Sequence, residues 1–179
     1  MIKRALDILA ASLGLLITLP LLPFIAFGIK LESPGPVIIS VPRVGKDGKV
    51  FPHYRFRTAS GNPPKKTRFG RFLGNRSMDD IAALLNVLSG DLSLVGPRPE
   101  WPERVDLNHP DWQKVLSVKP GLTGLGLIAF NKNYNQTPIE RRLKVERYYV
   151  DNHSLLYDLK IFLKTLNLWL KMGHIKGKI

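Results

Sequence analysis

The sequence predicts a mainly helical α+β protein resting on a membrane, and three stretches carry that reading. They are an uncharged apolar run near the N-terminus, a turn flanked by β-branched segments, and a basic amphipathic helix near the C-terminus. Ile8 to Ile29 runs 22 residues without a charge, enough to cross roughly 30 Å of hydrocarbon as a helix. The run is long for a secretory signal and lacks a small-x-small cleavage site before a polar mature chain. Pro20 and Pro23 lie inside it, and each removes a backbone donor and crowds the preceding turn, so the helix should kink or break there. Lys3 and Arg4 precede the run and Lys30 follows it, whereas a straight span carries its positive flank on one side. Two forms stay open on these grounds: a straight span, and a helix that enters, bends near Pro20 and returns. Asp7 is costly in lipid and calls for a cation, with Arg4 the nearest candidate.

The remaining elements follow in order. "SPGPVIISVPRVGKDGKVFPHYRFRT" (33–58) places β-branched runs on either side of Gly45-Lys46-Asp47-Gly48 and predicts a β-hairpin. "SGNPPKK" (60–66) is a loop by composition. In "RSMDDIAALLNVLSGDLSLVGPRPE" (76–100), Ser77-x-x-Asp80 has capping-box spacing. Ile81, Leu84, Leu85 and Leu88 follow at the period of one buried helix face, and Gly90 ends the helix. "VKPGLTGLG" (118–126) has glycines suited to a close approach of backbone to a ligand. From 153 onward, Leu155, Leu159, Phe162, Leu163, Leu166, Trp169 and Leu170 share roughly one face, with Lys160, Lys164 and Lys171 on the others. That pattern suits a helix packed in a core or one lying in a membrane interface, and the N-terminal run favours the second.

Composition narrows the chemistry. With 27 Lys+Arg against 14 Asp+Glu the net charge is +13, which points to an anionic partner such as nucleic acid, lipid or a phosphorylated ligand. Nucleic acid is disfavoured, because the basic residues are mixed with lipid-facing apolar ones and no recognition motif is present. The absence of cysteine excludes disulfides and thiolate metal sites. His53, His109, His153 and His174 lie too far apart for a zinc motif and read as structural or exposed.

The acid pair Asp79-Asp80 stands out in so basic a chain. As a cap, Asp80 needs no chemical role, whereas Asp79 sits in the first helical turn beside a cap already supplied. Adjacent helical residues point about 100° apart, so the two acids should have separate jobs. An ionised Asp in a first turn can attack phosphorus, given a divalent cation to screen anion from anion and a fixed cation for the phosphate oxygens. Arg98, held between Pro97 and Pro99, fits the last need.

The segments "SPGPV", "RVGKDGKVF", "YRFRT", "RSMDDIAALLNVLSGDLSLVGPRP", "VKPGLTG" and "YYVDNHSLLYDLKI" resemble, in order and spacing, the bacterial sugar transferases, or monotopic phosphoglycosyl transferases. The chain resembles their minimal catalytic form. The resemblance implies a re-entrant membrane helix over 1–31, with Pro20 at its bend. It also implies a catalytic unit over 32–179, with interfacial helices and a small cytosolic site on the cytoplasmic face of the bacterial inner membrane. The implied reaction is Mg²⁺-dependent transfer of a phospho-sugar from a UDP-sugar to a polyprenol phosphate such as undecaprenyl phosphate, releasing UMP, as the first membrane step of glycoconjugate assembly. Carried over, Asp79 is the nucleophile that forms a covalent phospho-sugar intermediate and helps hold magnesium, Asp80 occupies the position of the family's Glu, and Arg98 binds phosphate. Membrane lipid is the other implied partner, and a homodimer is an admitted assembly. The chain departs from the family in having Asp80 for Glu, Leu125-Gly126-Leu127 and Ala129-Phe130 in place of Trp-Ala-Gln and Asn-Gly, and a short loop at 60–66. The competing reading is a non-catalytic relative that binds polyprenol phosphate or a partner enzyme.

Overall fold

The computed structural model describes residues 2–174, with the side chains of 132 and 170–174 left aside. Among the described residues the architecture is mainly helical with three two-stranded sheets. Helix α1 (Ile2–Thr18) passes through a 3-10 turn at Leu19–Leu21 into α2 (Leu22–Glu32). Pro20 and Pro23 sit at the second positions of the turn and of α2, within the first turn where their missing N–H groups cost least. Ala11 and Gly14 let α1 approach α4 (Leu84–Ser89) closely: Ala11 packs with Ala83, Leu84 and Val87, and a Cβ at Gly14 would meet Leu84. Ile25 and Ile29 of α2 pack against Phe56 and Leu73. Most other apolar side chains of α1 and α2 are bare, with Leu9, Leu16, Phe24 and Phe27 each at least 65% exposed.

Polar contacts tie both ends of this helical stretch to the rest of the chain. Lys3 pairs with Asp158, and Arg4 donates to the last carbonyls of α4 at Val87 and Leu88, a favourable place for a cation. Glu32 accepts from the Phe69 N–H at 2.8 Å. Asp7 does not pair with Arg4: it is buried and accepts from Ser93 Oγ at 2.8 Å and the Leu94 N–H at 3.0 Å. A neutral hydroxyl and an edge amide thus satisfy the carboxylate that seemed to need a cation.

The predicted hairpin is present as β1 (Ile38–Val44) and β2 (Val50–Phe56), antiparallel and joined through the Lys46–Gly48 turn, where Asp47 and Gly48 take positive φ. The 60–66 loop contains a two-residue ladder, β3 (Ala59–Ser60) with β4 (Lys65–Lys66). Helix α3 (Arg68–Asn75) follows. The single helix predicted from Ser77 is instead a 3-10 segment, Met78–Ala83, that turns α-helical at Leu84. Ser77 adopts φ 54° and its side chain caps nothing, so the capping box is not formed. With the tighter winding first, the buried set shifts to Ala82, Ala83, Leu84, Asn86 and Val87, and Leu85 faces out. Gly90 ends α4 in the left-handed conformation, as predicted.

Short parallel strands β5 (Ser93–Val95) and β6 (Gly121–Thr123) flank α5 (Pro110–Val115) in sequence. A Cβ at Gly121 would lie 2.1 Å from the Gly96 N, so the glycines of "PGLTG" admit neighbouring backbone and not only a ligand. Helices α6 (Leu125–Phe130), α7 (Ile139–Asn152) and α8 (Leu155–His174) complete the chain. Ile161 of α8 is buried against Val95 and Tyr149, while Leu156, Leu159, Leu163, Leu166 and Trp169 are exposed. The predicted amphipathic helix is therefore present with its apolar face largely bare, and the side chains of Leu170 and Lys171 lie outside the described residues.

Candidate active site

In an antiparallel pair, alternate residues share a face with their direct partners. The register Ile39↔Arg55, Val41↔His53 and Arg43↔Phe51 therefore sets Arg43, His53 and Arg55 on one side of the hairpin. Asn86 of α4, fully buried, holds β2 by accepting from the Tyr54 N–H and donating to the Pro52 carbonyl, both at 2.8 Å. That grip brings the turn ahead of α4, with its acid pair, to Arg55. Arg98 comes from the segment after β5, whose position is fixed by Gly121 N–H to Pro97 O at 2.8 Å and Val44 N–H to Glu100 O at 3.0 Å. The resulting pocket is lined by Arg43, His53, Arg55, Asp80, Arg98, Pro99, Gly121 and Leu122.

The two acids converge on one guanidinium: Arg55 Nη2 lies 2.5 Å from Asp79 Oδ2, and Arg55 Nε lies 2.8 Å from Asp80 Oδ1. The two acids share this counter-ion because a planar guanidinium has two donor edges and can serve both. Asp79 is only 5% exposed, and Asp80 is the acid that lines the pocket. Burial, and then the charge of Asp80, push the Asp79 carboxyl above its ordinary range, with Arg55 pulling the other way. Asp80 and Arg98 line the pocket together, and Asp79 adjoins it through Arg55.

Three residues were not singled out from sequence. Arg43 and Arg55 carry no signal alone, although hairpin alternation assigns them one face once the turn is recognised. His53, expected to be structural or exposed, lines the pocket. Burial lowers its imidazole to about 4, so it is neutral at pH 7. His109 has the structural role expected, capping α5 by accepting from the Asp111 N–H at 3.1 Å.

Behind Arg98 lies a second polar group. Tyr134 is buried between the guanidiniums of Arg98 and Arg142, 5.1 and 4.9 Å from its ring centroid, and donates to Glu146 Oε1 at 3.1 Å. A Cβ at Gly126 would sit 2.2 Å from that oxygen and 2.8 Å from the Tyr134 ring, so a side chain there would displace one or both. Glu146 Oε2 is buried without a partner, and burial pushes the carboxyl from 4.5 up to about 7. The folded protein therefore keeps a proton that the unfolded chain releases, so stability falls as pH rises from about 4.5 to about 7 and is level above, a loss on the order of 3 kcal/mol. Glu146→Gln should remove that fall, giving a higher melting temperature than wild type at pH 8 and no gain at pH 5. Parallel melting curves for the two proteins across this range would refute it.

A family model described as bacterial sugar transferase matches residues 1–172. The chain is 34% identical over 187 residues to the UDP-glucose:undecaprenyl-phosphate glucose-1-phosphate transferase of Escherichia coli (strain K12), covering 93% of this chain and 39% of that protein. It is 36% identical over 181 residues to a transferase of the same name from Caulobacter vibrioides, covering 92% and 68%. With the exopolysaccharide production protein PSS of Rhizobium leguminosarum bv. phaseoli it shares 34% over 190 residues, covering 92% and 93%. The chain thus spans about two fifths of the Escherichia coli relative and nearly all of the Rhizobium one.

Proposed function

The chain belongs to the bacterial sugar transferase family, and on that premise we propose that it moves a phospho-sugar from a UDP-sugar to a polyprenol phosphate such as undecaprenyl phosphate, releasing UMP. The observation that carries this reading is the pocket itself, in which Arg43, Arg55 and Arg98 gather around Asp80, with the buried Asp79 paired to Arg55 beside it. Clustered guanidiniums suit phosphate oxygens, and a carboxylate beside them is a nucleophile for phosphorus. In the first step an Asp79 oxygen bonds to the sugar-bearing phosphorus as its bond to the bridging oxygen breaks, and UMP leaves with that electron pair. In the second, an oxygen of the acceptor phosphate bonds to the same phosphorus and displaces Asp79, giving a polyprenyl diphosphosugar. Arg98 holds phosphate oxygens throughout.

A second reading exchanges the acids, and one observation favours it: Asp80, not Asp79, faces the pocket. Mapping the trapped phospho-sugar by peptide mass spectrometry separates the two. The residues also suit magnesium, which takes one or two carboxylates and fills its remaining positions with water and substrate phosphate oxygens. Among the described residues no cluster of three or more His, Cys, Asp or Glu forms a closed cage, and Asp79 with Asp80 would hold the ion. When bound, it would screen the charge of the diphosphate from the attacking carboxylate.

The membrane reading rests on the bare apolar faces of α1, α2 and α8. Contacts of Lys3, Arg4 and Asp7 at one end, and Glu32 at the other, with the same catalytic unit support a re-entrant helix. A straight span would carry one end to the far side of the bilayer. The absence of native cysteine makes single-cysteine labelling clean. Cysteines at positions 2 and 107 should both resist an impermeant reagent in intact cells and react after permeabilisation; reaction of position 2 alone in intact cells would show a span. The activity is tested by screening UDP-sugars with undecaprenyl phosphate for Mg²⁺-dependent UMP release. No release with any donor would leave a non-catalytic binder.

A further inference from the structure

The three pocket arginines are held in two different ways. Arg55 is bound to both carboxylates. Among the described residues, the side chains of Arg43 and Arg98 have no hydrogen-bond or ion-pair partner, and each instead lies over an aromatic ring. Arg43 Cζ is 3.8 Å from the ring centroid of Trp101, and Arg98 Cζ is 5.1 Å from that of Tyr134. Arg43 is 9% exposed and its Nε is buried without a partner. Glu100, next in sequence to Trp101 and two residues after Arg98, is occupied by Arg142 and Arg104.

A guanidinium held over an aromatic ring by cation–π attraction spends none of its N–H groups on a carboxylate. A carboxylate seat would have consumed some of them and cancelled the charge. Two cations kept close are unfavourable without a ligand: burial first, and the charge of Arg98 second, lower the Arg43 guanidinium to about 10, with Glu100 and Asp80 offsetting part of that. An anion that reaches both relieves the repulsion. Because Arg43 lies near the end of β1 and Arg98 follows β5, the two donors reach one pocket from different elements. A monophosphate fills one fork, whereas two linked phosphates fill both.

We infer that Arg43 is a binding residue of this site, seated on Trp101, and that Arg43 and Arg98 together select a diphosphate over a monophosphate. Trp101 is then a positioning residue, since it acts through Arg43. The inference rests on the phosphoryl-transfer reading, but its test uses neither sugar nor lipid.

Calorimetric titration of the full chain in detergent, in metal-free buffer, with inorganic pyrophosphate and inorganic phosphate reads the selectivity directly. Wild type should bind pyrophosphate on the order of 10-fold tighter or more, as expected for a second charge-assisted fork. Arg43→Gln should abolish that preference while changing phosphate affinity less than about 3-fold, because Arg98 remains. Trp101→Leu retains every charge, so it should lower the preference without abolishing phosphate binding. Arg43→Lys should not restore it, an ammonium being neither planar nor forked. In donor kinetics Arg43→Gln should raise KM more than it lowers kcat. An unchanged preference in Arg43→Gln or in Trp101→Leu would overturn the inference, as would a wild type that binds neither anion or does not discriminate. UMP release by a non-discriminating wild type would sink this inference alone, and Arg43-dependent preference without UMP release would sink the transfer reading alone.

Discussion

Asp79→Asn should leave no turnover and no covalent adduct while the protein folds normally. The amide matches the carboxylate in shape and still accepts from Arg55 Nη2, which lies 2.5 Å from Asp79 Oδ2 in the wild type. It carries no charge, so the burial and the Asp80 repulsion that push the Asp79 carboxyl upward disappear. Stability should therefore stay within about 1 kcal/mol of wild type or rise, since a buried charge has been removed. Nucleophilicity is lost outright. Asp80→Asn provides the contrast. Asp80 does not cap the helix, so little stability should be lost, but it pairs with Arg55 and faces the pocket. If it moves a proton on the acceptor phosphate, the rate should fall on the order of 10² to 10⁴ with the adduct still formed. Asp80→Glu should keep or raise activity if the site tolerates the family's usual residue. Turnover in Asp79→Asn, or an adduct mapped to Asp80, would move the nucleophile to the second acid.

The elements that were legible in the sequence are those set by local chemistry. Gly45-Lys46-Asp47-Gly48 demands positive φ at a turn, and the hairpin forms there. Pro20 and Pro23 break the helical run where the rings forbid regular winding. Asp80 and Arg98 line one pocket, and Asp79 is held beside it by Arg55. The misreadings all involve partners distant in sequence. Ser77-x-x-Asp80 has the spacing of a capping box, but Arg55, 24 residues before Asp79, attracts both acids, and Ser77 turns left-handed. Asp7 finds Ser93 and Leu94 through a helix contact that no local pattern encodes. His53 looked isolated because the hairpin alone does not say which of its faces meets α4; the Asn86 grip on Pro52 and Tyr54 decides that.

Arg55→Met should be the most damaging change at the site after loss of the nucleophile, and it tests the shared counter-ion. Methionine retains an apolar stem of similar reach but cancels no charge, so two adjacent carboxylates, one of them buried, face each other alone. An unpaired buried charge costs roughly 3–5 kcal/mol, lowered to the extent that Asp79 takes up a proton. The sign with pH follows from that escape. Removing Arg55 removes an influence that lowers the Asp79 pKa, so the folded value rises further above the unfolded one. The destabilisation then grows as pH climbs from the unfolded carboxylate value through the raised folded one. The gap in melting temperature between Arg55→Met and wild type should therefore be wide at pH 8 and narrow at pH 5. Activity should fall on the order of 10² to 10³, with the acid limb of its pH profile displaced upward, because the attacking group must be ionised. Arg55→Lys should recover part of both, since an ammonium restores the charge but lacks the fork that reaches two carboxylates at once. A stability deficit equal at both pH values, or full activity in Arg55→Met, would mean that the acids do not depend on this guanidinium.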